Sequence, residues 1–338
     1  MAIDEPHPRI SEADADLRIA SNRGDVYATL AKADHRILAR DYRAAAAFYG
    51  AVGRLANGGA EIARDDLLRA RDAAFWLDRR FAEHLAEGLD HAGLTVEERH
   101  PRFQKSLEIM LGMRPRDPVS ERFPQLPLSY FYPDLAYCDF ADSREFPFRD
   151  LLRERTEAVL SEAGSLIEAG GGLAPYLRQT SERPQGDVHG LLENSDWSTF
   201  DLTERGLLVA ERVARCPVTC ATLDADVPLC RISSRAPSLM FSLLRPGSKI
   251  PPHTGMLNVR FVCHLPLIVP LGCGFRVGDI TRKWKFGELL VFDDTVEHEA
   301  WNNSRQDRLV LIFDIWRPEL TLVEREQIQA LFQIVDSY

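Results

Sequence analysis

At its start the sequence has no basic, apolar leader pattern, and export is therefore not expected. MAIDEPHPRISEADADLR carries acids and prolines where a secretory leader has a basic start followed by an apolar run. It also lacks a membrane-length apolar run: the most apolar window, FVCHLPLIVPLGCGF (261–275), is interrupted by His264 and two prolines and is shorter than the roughly 18 residues a span requires. Basic residues are in deficit, 41 Lys and Arg against 51 Asp and Glu, for a net charge of −10. That balance disfavours non-specific nucleic-acid binding. The six cysteines, at 138, 216, 220, 230, 263 and 273, are too sparse for a disulfide framework and fit a reducing compartment. Cys216 and Cys220 form a lone CxxxC, which reads as loop or core thiols. No G-x-x-x-x-G-K-[ST] or G-x-G-x-x-G fingerprint opens a helix, which disfavours nucleotide-binding folds. A cytoplasmic chain with neither membrane nor nucleic acid as partner is expected.

What is present is a globular composition, 45% hydrophobic and 27% charged over 338 residues, long enough for two domains. After an N-terminal tail (1–24), apolar residues at three and four spacing, such as Tyr42, Ala45 and Tyr49 and then Leu68, Ala74, Phe75, Leu77 and Phe81, predict an α-helical domain over 25–112. Within it DYRAAAAFYGAVGRLANGG has the small and aromatic positions of a tetratricopeptide-type hairpin. This region is a candidate surface for a protein partner. A Pro-rich linker is expected over 113–131, because repeated prolines forbid a continuous helix. A helix over 150–169 is ended by the glycines of AGGGL. Beyond 200, LMFSLL, VRFVCHLPLIVP, GFRVG, RKWKFGELLVFDD and RLVLIFDIW predict short strands of an antiparallel sandwich or barrel, and ELTLVEREQIQALFQIV returns to helical periodicity. The fold class is α+β and multidomain: a helical, repeat-like domain, then a double-stranded β-helix of jelly-roll or cupin type with flanking helices over 132–338.

His253 lies in a Pro- and Gly-flanked turn, and His298 at VEHEAW, both at strand boundaries. Two strand-end histidines at the mouth of such a barrel are a pattern of non-haem iron sites, which usually add a carboxylate near the first histidine. Here Gly255 stands two places after His253. Arg308 opens the apolar strand LVLIFDIW, and a buried arginine needs an acidic partner, which a dicarboxylate cosubstrate would supply. Spacing alone leaves open an iron–oxoacid site, another cupin-like metal centre, or structural coincidence. Alternation points Glu297 and Glu299 away from His298. Asp293 and Asp294 read as turn formers rather than ligands. Asp196 and Trp197 by themselves read as a turn cap and a core residue.

The segments DWSTF (196–200), RPGSKIPPHTG (245–255), VRFVCHLPLIVP (259–270), GELLVFDDTVEHEAWN (287–302) and RLVLIFDIWRPEL (308–320) resemble the aspartyl/asparaginyl β-hydroxylases. The resemblance runs over about 190 residues, from YPDL (132–135) to PELT (318–321), and leaves the helical region outside it. It implies an Fe(II)- and 2-oxoglutarate-dependent dioxygenase using O₂, with His253 and His298 as metal and catalytic residues. Glycine at 255 belongs to the family pattern, in which water fills the place of the missing carboxylate. Arg308 and Ser242 would bind the oxoacid's carboxylate, and His264 its other end. Relatives acting on aspartyl side chains carry an arginine where this chain has Val262, while Arg260 is kept as a candidate substrate contact with Asp196 and Trp197. The implied reaction is hydroxylation of an amino-acid side chain in a protein, peptide or smaller amino-acid-like substrate. The alternatives are a non-catalytic helical-repeat binding protein on a retained cupin-like scaffold, and a cupin-type isomerase or metal module.

Overall fold

The computed structural model describes residues 6–168, 172–185 and 190–338. Of these, residues 6–93, 178–185 and 337–338 form one compact unit, and 94–168, 172–177 and 190–336 another.

The first unit holds α1 (Glu12–Ser21), α2 (Val26–Leu38), α3 (Tyr42–Asn57) and α4 (Arg64–His91). Ser11, Asp25 and Asp41 cap the first three, each accepting a hydrogen bond from the backbone N–H three residues on. Residues 12–21, expected in an N-terminal tail, are therefore helical. Ala33, Ala44, Ala45, Phe48 and Val52 on α2 and α3 pack with Ala70, Ala73 and Leu77 of α4 into a core whose small residues allow close helix approach. The α2–α3 hairpin is followed by α4, a single helix of 28 residues, and not by a second hairpin of that kind.

The second unit contains α5 (Pro101–Met110), β1 (Phe140–Ala141), α6 (Arg149–Glu168), β2 (Ala174–Pro175), β3 (Trp197–Asp201), β4 (Thr203–Glu204), β5 (Leu207–Leu208), α7 (Ala210–Val213) and α8 (Pro217–Asp226). The main strands follow: β6 (Leu239–Leu244), β7 (Lys249–His253), β8 (Arg260–Ile268), β9 (Cys273–Val277), β10 (Ile280–Arg282), β11 (Leu290–Phe292), β12 (His298–Asn302) and β13 (Arg308–Trp316), before α9 (Leu322–Asp336). Residues 169–171, at the glycine stop expected after α6, lie outside the described residues, whereas Gly172 takes a φ of +96°.

A seven-stranded sheet runs β1-β11-β8-β13-β6-β3-β2, and a four-stranded sheet runs β10-β9-β12-β7. From β6 to β9 each successive strand changes sheet, as in a jelly roll. Leu244, Val262, Phe292 and Val310 of the large sheet meet Ile250, Phe275, Val277 and Ala300 of the small one in a shared core. The other face of the large sheet, with Phe261, Cys263, Leu265, Leu311 and Phe313, is covered by Leu152, Val159 and Ala163 of α6 and Leu223 of α8. Both faces of β8 and β13 are thus buried, which is why their sequences read as continuous apolar runs. Alternation turns Arg260, Val262 and His264 toward the space between the sheets. Within the Pro-rich stretch, Leu126 N–H donates to the Thr295 carbonyl at 2.7 Å and Leu128 N–H to that of Gly255 at 2.9 Å.

The start of α9 is anchored by Glu324, which is fully buried. Its carboxylate accepts hydrogen bonds from Arg102 (2.8 and 2.9 Å), the Tyr132 hydroxyl (2.8 Å), and the Thr321 N–H and hydroxyl (2.9 and 2.8 Å). Burial alone would raise its pKa, but the bonds from Arg102, Thr321 and Tyr132 outweigh burial and hold it at about 2, below the ordinary 4.5. Replacing Glu324 by Ala strands these donors, and urea unfolding should show a loss of about 3 kcal/mol. Because the folded pKa is depressed, the group's stabilising effect is complete above pH 4.5 and lost as pH falls toward 2. Glu324→Gln should flatten that limb of the pH–stability profile; an unchanged limb would show that other carboxylates carry it.

Candidate functional site

The antiparallel pairing of β7 with β12 sets His253 opposite His298. Their ring centroids are 4.1 Å apart. Each Nδ1 lies against a carbonyl two residues back, His253 against Pro251 at 2.8 Å and His298 against Val296 at 3.0 Å. With Nδ1–H donating there, both Nε2 atoms keep a lone pair. Burial lowers both pKa values, that of His298 to about 3 with the neighbouring His253 as second cause. Both rings are neutral at pH 7, the form that binds a metal. Among the described residues no third His, Cys, Asp or Glu completes a metal-binding group with them.

His264 is buried on β8, and its pKa is pushed well down by burial and then by Arg308 and His298. Its Nδ1 accepts a hydrogen bond from the Trp284 indole at 3.3 Å, which leaves Nε2–H as a donor. Arg308 is 1% exposed, and its guanidinium lies 5.1 Å from the centre of the Trp284 ring. Its Nε has no hydrogen-bond partner, and burial lowers its pKa to about 10. The expected acidic partner is missing among the described residues, so the side chain is a buried cation without a counterion. Trp197 donates its indole N–H to the Ser242 hydroxyl at 3.2 Å and lies 6.3 Å from the His253 ring. The histidine pair thereby adjoins Trp197 and Ser242, and Phe275 and Phe292, which lie against both His298 and His264, stand between it and the His264–Trp284–Arg308 group.

Two sequence candidates are placed differently. Arg260, a candidate substrate contact, is buried in ion pairs with Asp314 and, at 3.0 Å, Asp294. Its charge is already met inside the protein. Asp196 is exposed, and its backbone closes a turn, the N–H donating to Asn194 and the carbonyl accepting from Arg245. Glu297 and Glu299 point away from His298, as alternation requires, and pair with Arg276 at 2.8 and 2.6 Å. Asp293 forms the expected turn, accepting from the Thr295 N–H and hydroxyl, and also pairs with Arg317 at 2.9 Å.

Sequence reasoning missed two residues, Trp284 and Tyr176, and gave Asp294 only a turn-forming role. Trp284 bridges His264 and Arg308, Tyr176 stacks on Trp197 with centroids 4.1 Å apart, and the Asp294 carboxylate fills the space beside Gly255. Trp284 stood within the expected strand RKWKFGELLVFDD, but nothing marked it as a neighbour of Arg308.

Residues 153–318 match the family model described as Aspartyl/Asparaginyl beta-hydroxylase. The Aspartyl/asparaginyl beta-hydroxylase of Mus musculus is 38% identical over 144 residues, 42% of this chain and 19% of that protein. Aspartate beta-hydroxylase domain-containing protein 2 of Mus musculus is 31% identical over 213 residues, 62% of this chain and 59% of its own length. The Ornithine lipid ester-linked acyl 2-hydroxylase of Rhizobium tropici is 31% identical over 185 residues, 52% of this chain and 60% of that protein. The chain thus spans about a fifth of the first relative and three-fifths of the other two. No helix among the described residues is long and apolar enough to cross a membrane. The domain at 153–318 is thus similar to the aspartyl/asparaginyl beta-hydroxylases.

Proposed function

We propose that this chain is an Fe(II)- and 2-oxoglutarate-dependent hydroxylase, with His253 and His298 as its metal ligands. One observation carries the reading: two neutral imidazoles, each fixed through Nδ1, share the inward side of the strands with a buried arginine that has no counterion. Imidazole nitrogens suit iron, and backbone-anchored Nδ1 atoms orient the rings for it. Gly255 agrees with a ligand set of two histidines. A Cβ there would overlap the Asp294 carboxylate, which Arg260 holds in place, so a longer side chain has no room.

When bound, iron with 2-oxoglutarate and O₂ would supply hydroxylation of an unactivated C–H bond. The chain's own residues bind, orient and exclude water. Arg308 offers a fork of N–H donors to the cosubstrate's distal carboxylate. Trp284 backs that guanidinium and aims the His264 ring, whose Nε2–H remains to donate to the oxoacid. Ser242, whose hydroxyl accepts from Trp197, can still donate its own proton. Phe275 and Phe292, packed against His264 and His298, keep the pocket dry. The substrate is an amino-acid side chain or, as the name of the Rhizobium tropici relative suggests, an acyl chain.

Anaerobic titration with Fe(II) and 2-oxoglutarate should give a charge-transfer absorption band, and admitting O₂ should release succinate. His298→Ala should abolish both, while Arg308→Leu should keep metal binding and weaken 2-oxoglutarate binding at least tenfold. A folded protein without the band, or succinate formation that survives His298→Ala, would sink the reading in favour of a non-catalytic scaffold. Gly255→Ala should lower stability by about 1–3 kcal/mol in urea unfolding. It should combine non-additively with Asp294→Ala, since the two residues share one space; additivity would show that Asp294 is not the obstruction.

A further inference from the structure

Arg260 is an inward-facing cation of β8 that holds two carboxyl groups, one of them that of Asp294 beside Gly255, two residues from His253. One guanidinium nitrogen pairs with Asp314 and another with Asp294 at 3.0 Å, and all three residues are buried. The cluster therefore holds two carboxyl groups to one guanidinium. A substrate carboxylate brought to it would be a third acidic group in a low-dielectric space, with no cation of this cluster left to meet it, which desolvation opposes. The next inward-facing residue on β8 is Val262, which packs in the apolar core between the sheets with Val310 and, at its edge, Ile312 and Trp197. Arg308 stands apart from this cluster, against Trp284 and His264.

The surroundings of His253 are apolar as well. Trp197 and Tyr176 stack with an interplanar angle of 25°, and Trp197 adjoins the His253 ring. Met256, beside Gly255, is 49% exposed, and Leu128, whose N–H donates to the Gly255 carbonyl, is 70% exposed. Exposed apolar side chains clustered next to a reactive site mark where a ligand's apolar part lies.

We infer that the group hydroxylated here is uncharged and aliphatic, and that Val262 together with the tethered Arg260 sets this preference. The inference rests on the hydroxylase reading and narrows it. A chain with this cluster selects against a side-chain carboxylate at the reacting position, and Arg260 acts as a positioning residue that holds Asp294 against Gly255.

The test compares two matched probes, N-acetyl-leucine methylamide and N-acetyl-aspartate methylamide, on protein loaded with Zn(II) and a non-reacting 2-oxo acid analogue, by ligand-observed NMR. Wild type is expected to show no preference for the aspartate probe. Val262→Arg, which adds a cation, and Asp314→Asn, which releases Arg260, should each shift the binding ratio toward aspartate at least tenfold. Aspartate binding that appears only in these variants supports the inference equally. A wild-type preference of tenfold or more for aspartate overturns it, as does an unshifted ratio in folded Val262→Arg protein; should that variant not fold, the wild-type ratio and Asp314→Asn decide. The charge-transfer band recorded on the same preparations with iron and 2-oxoglutarate reports separately on the hydroxylase reading, so failure of one is distinguishable from failure of the other.

Discussion

The antiparallel pairing of β7 with β12 is the constraint on which the site depends. It sets two histidines, forty-five residues apart in the chain, opposite each other at the edge of the space between the sheets. Because side chains alternate along a strand, a slip of one residue would turn His298 outward and bring Glu297 or Glu299 in. The outward face resists that slip. Glu297 and Glu299 meet Arg276, and Glu299 also meets Lys249 at 2.6 Å, so opposite charges hold the register that the histidines require.

Three buried arginines show how the same fold uses one chemistry for different ends. Arg317 pairs with Asp293 and Glu319 and donates to the Ala136 carbonyl, which ties the preceding loop to the end of β13. Arg260 pairs with Asp294 and Asp314 and so fixes the carboxylate that crowds Gly255. Arg308 pairs with neither Asp nor Glu among the described residues, and its charge is backed only by the face of Trp284. Removing an arginine from water without a counterion is unfavourable for folding. Among these three, Arg308 bears that cost without an acidic partner among the described residues, which separates it from the other two.

Much of the β-domain could be read in advance because its signals are local. The apolar runs of β8 and β13, the strand-end histidines, the Gly255 turn and the outward glutamates each follow from residue type and period. Helix around 42–57 was equally legible from its small and aromatic spacing, but it forms the single helix α3 and not a hairpin, whereas α1 was hidden in a polar stretch whose only strong helix signal is the Ser11 cap. The ion pairs of Arg260 could not be read in advance, because its partners Asp294 and Asp314 lie thirty-four and fifty-four residues away and no local pattern joins them. Tyr176 and Trp284 were missed for the same reason.

By itself the sequence determined which residues could do the chemistry: two histidines able to hold a metal, an arginine at the head of an apolar strand, and a glycine where a third ligand would otherwise stand. Only the tertiary structure decided which charges are free. Ion pairing depends on distances of a few ångströms between strands that are remote in sequence, and strand order and register set those distances. Arg308 and Arg260 each stand at the first position of an apolar strand. The folded sheets leave the first without a counterion and give the second two.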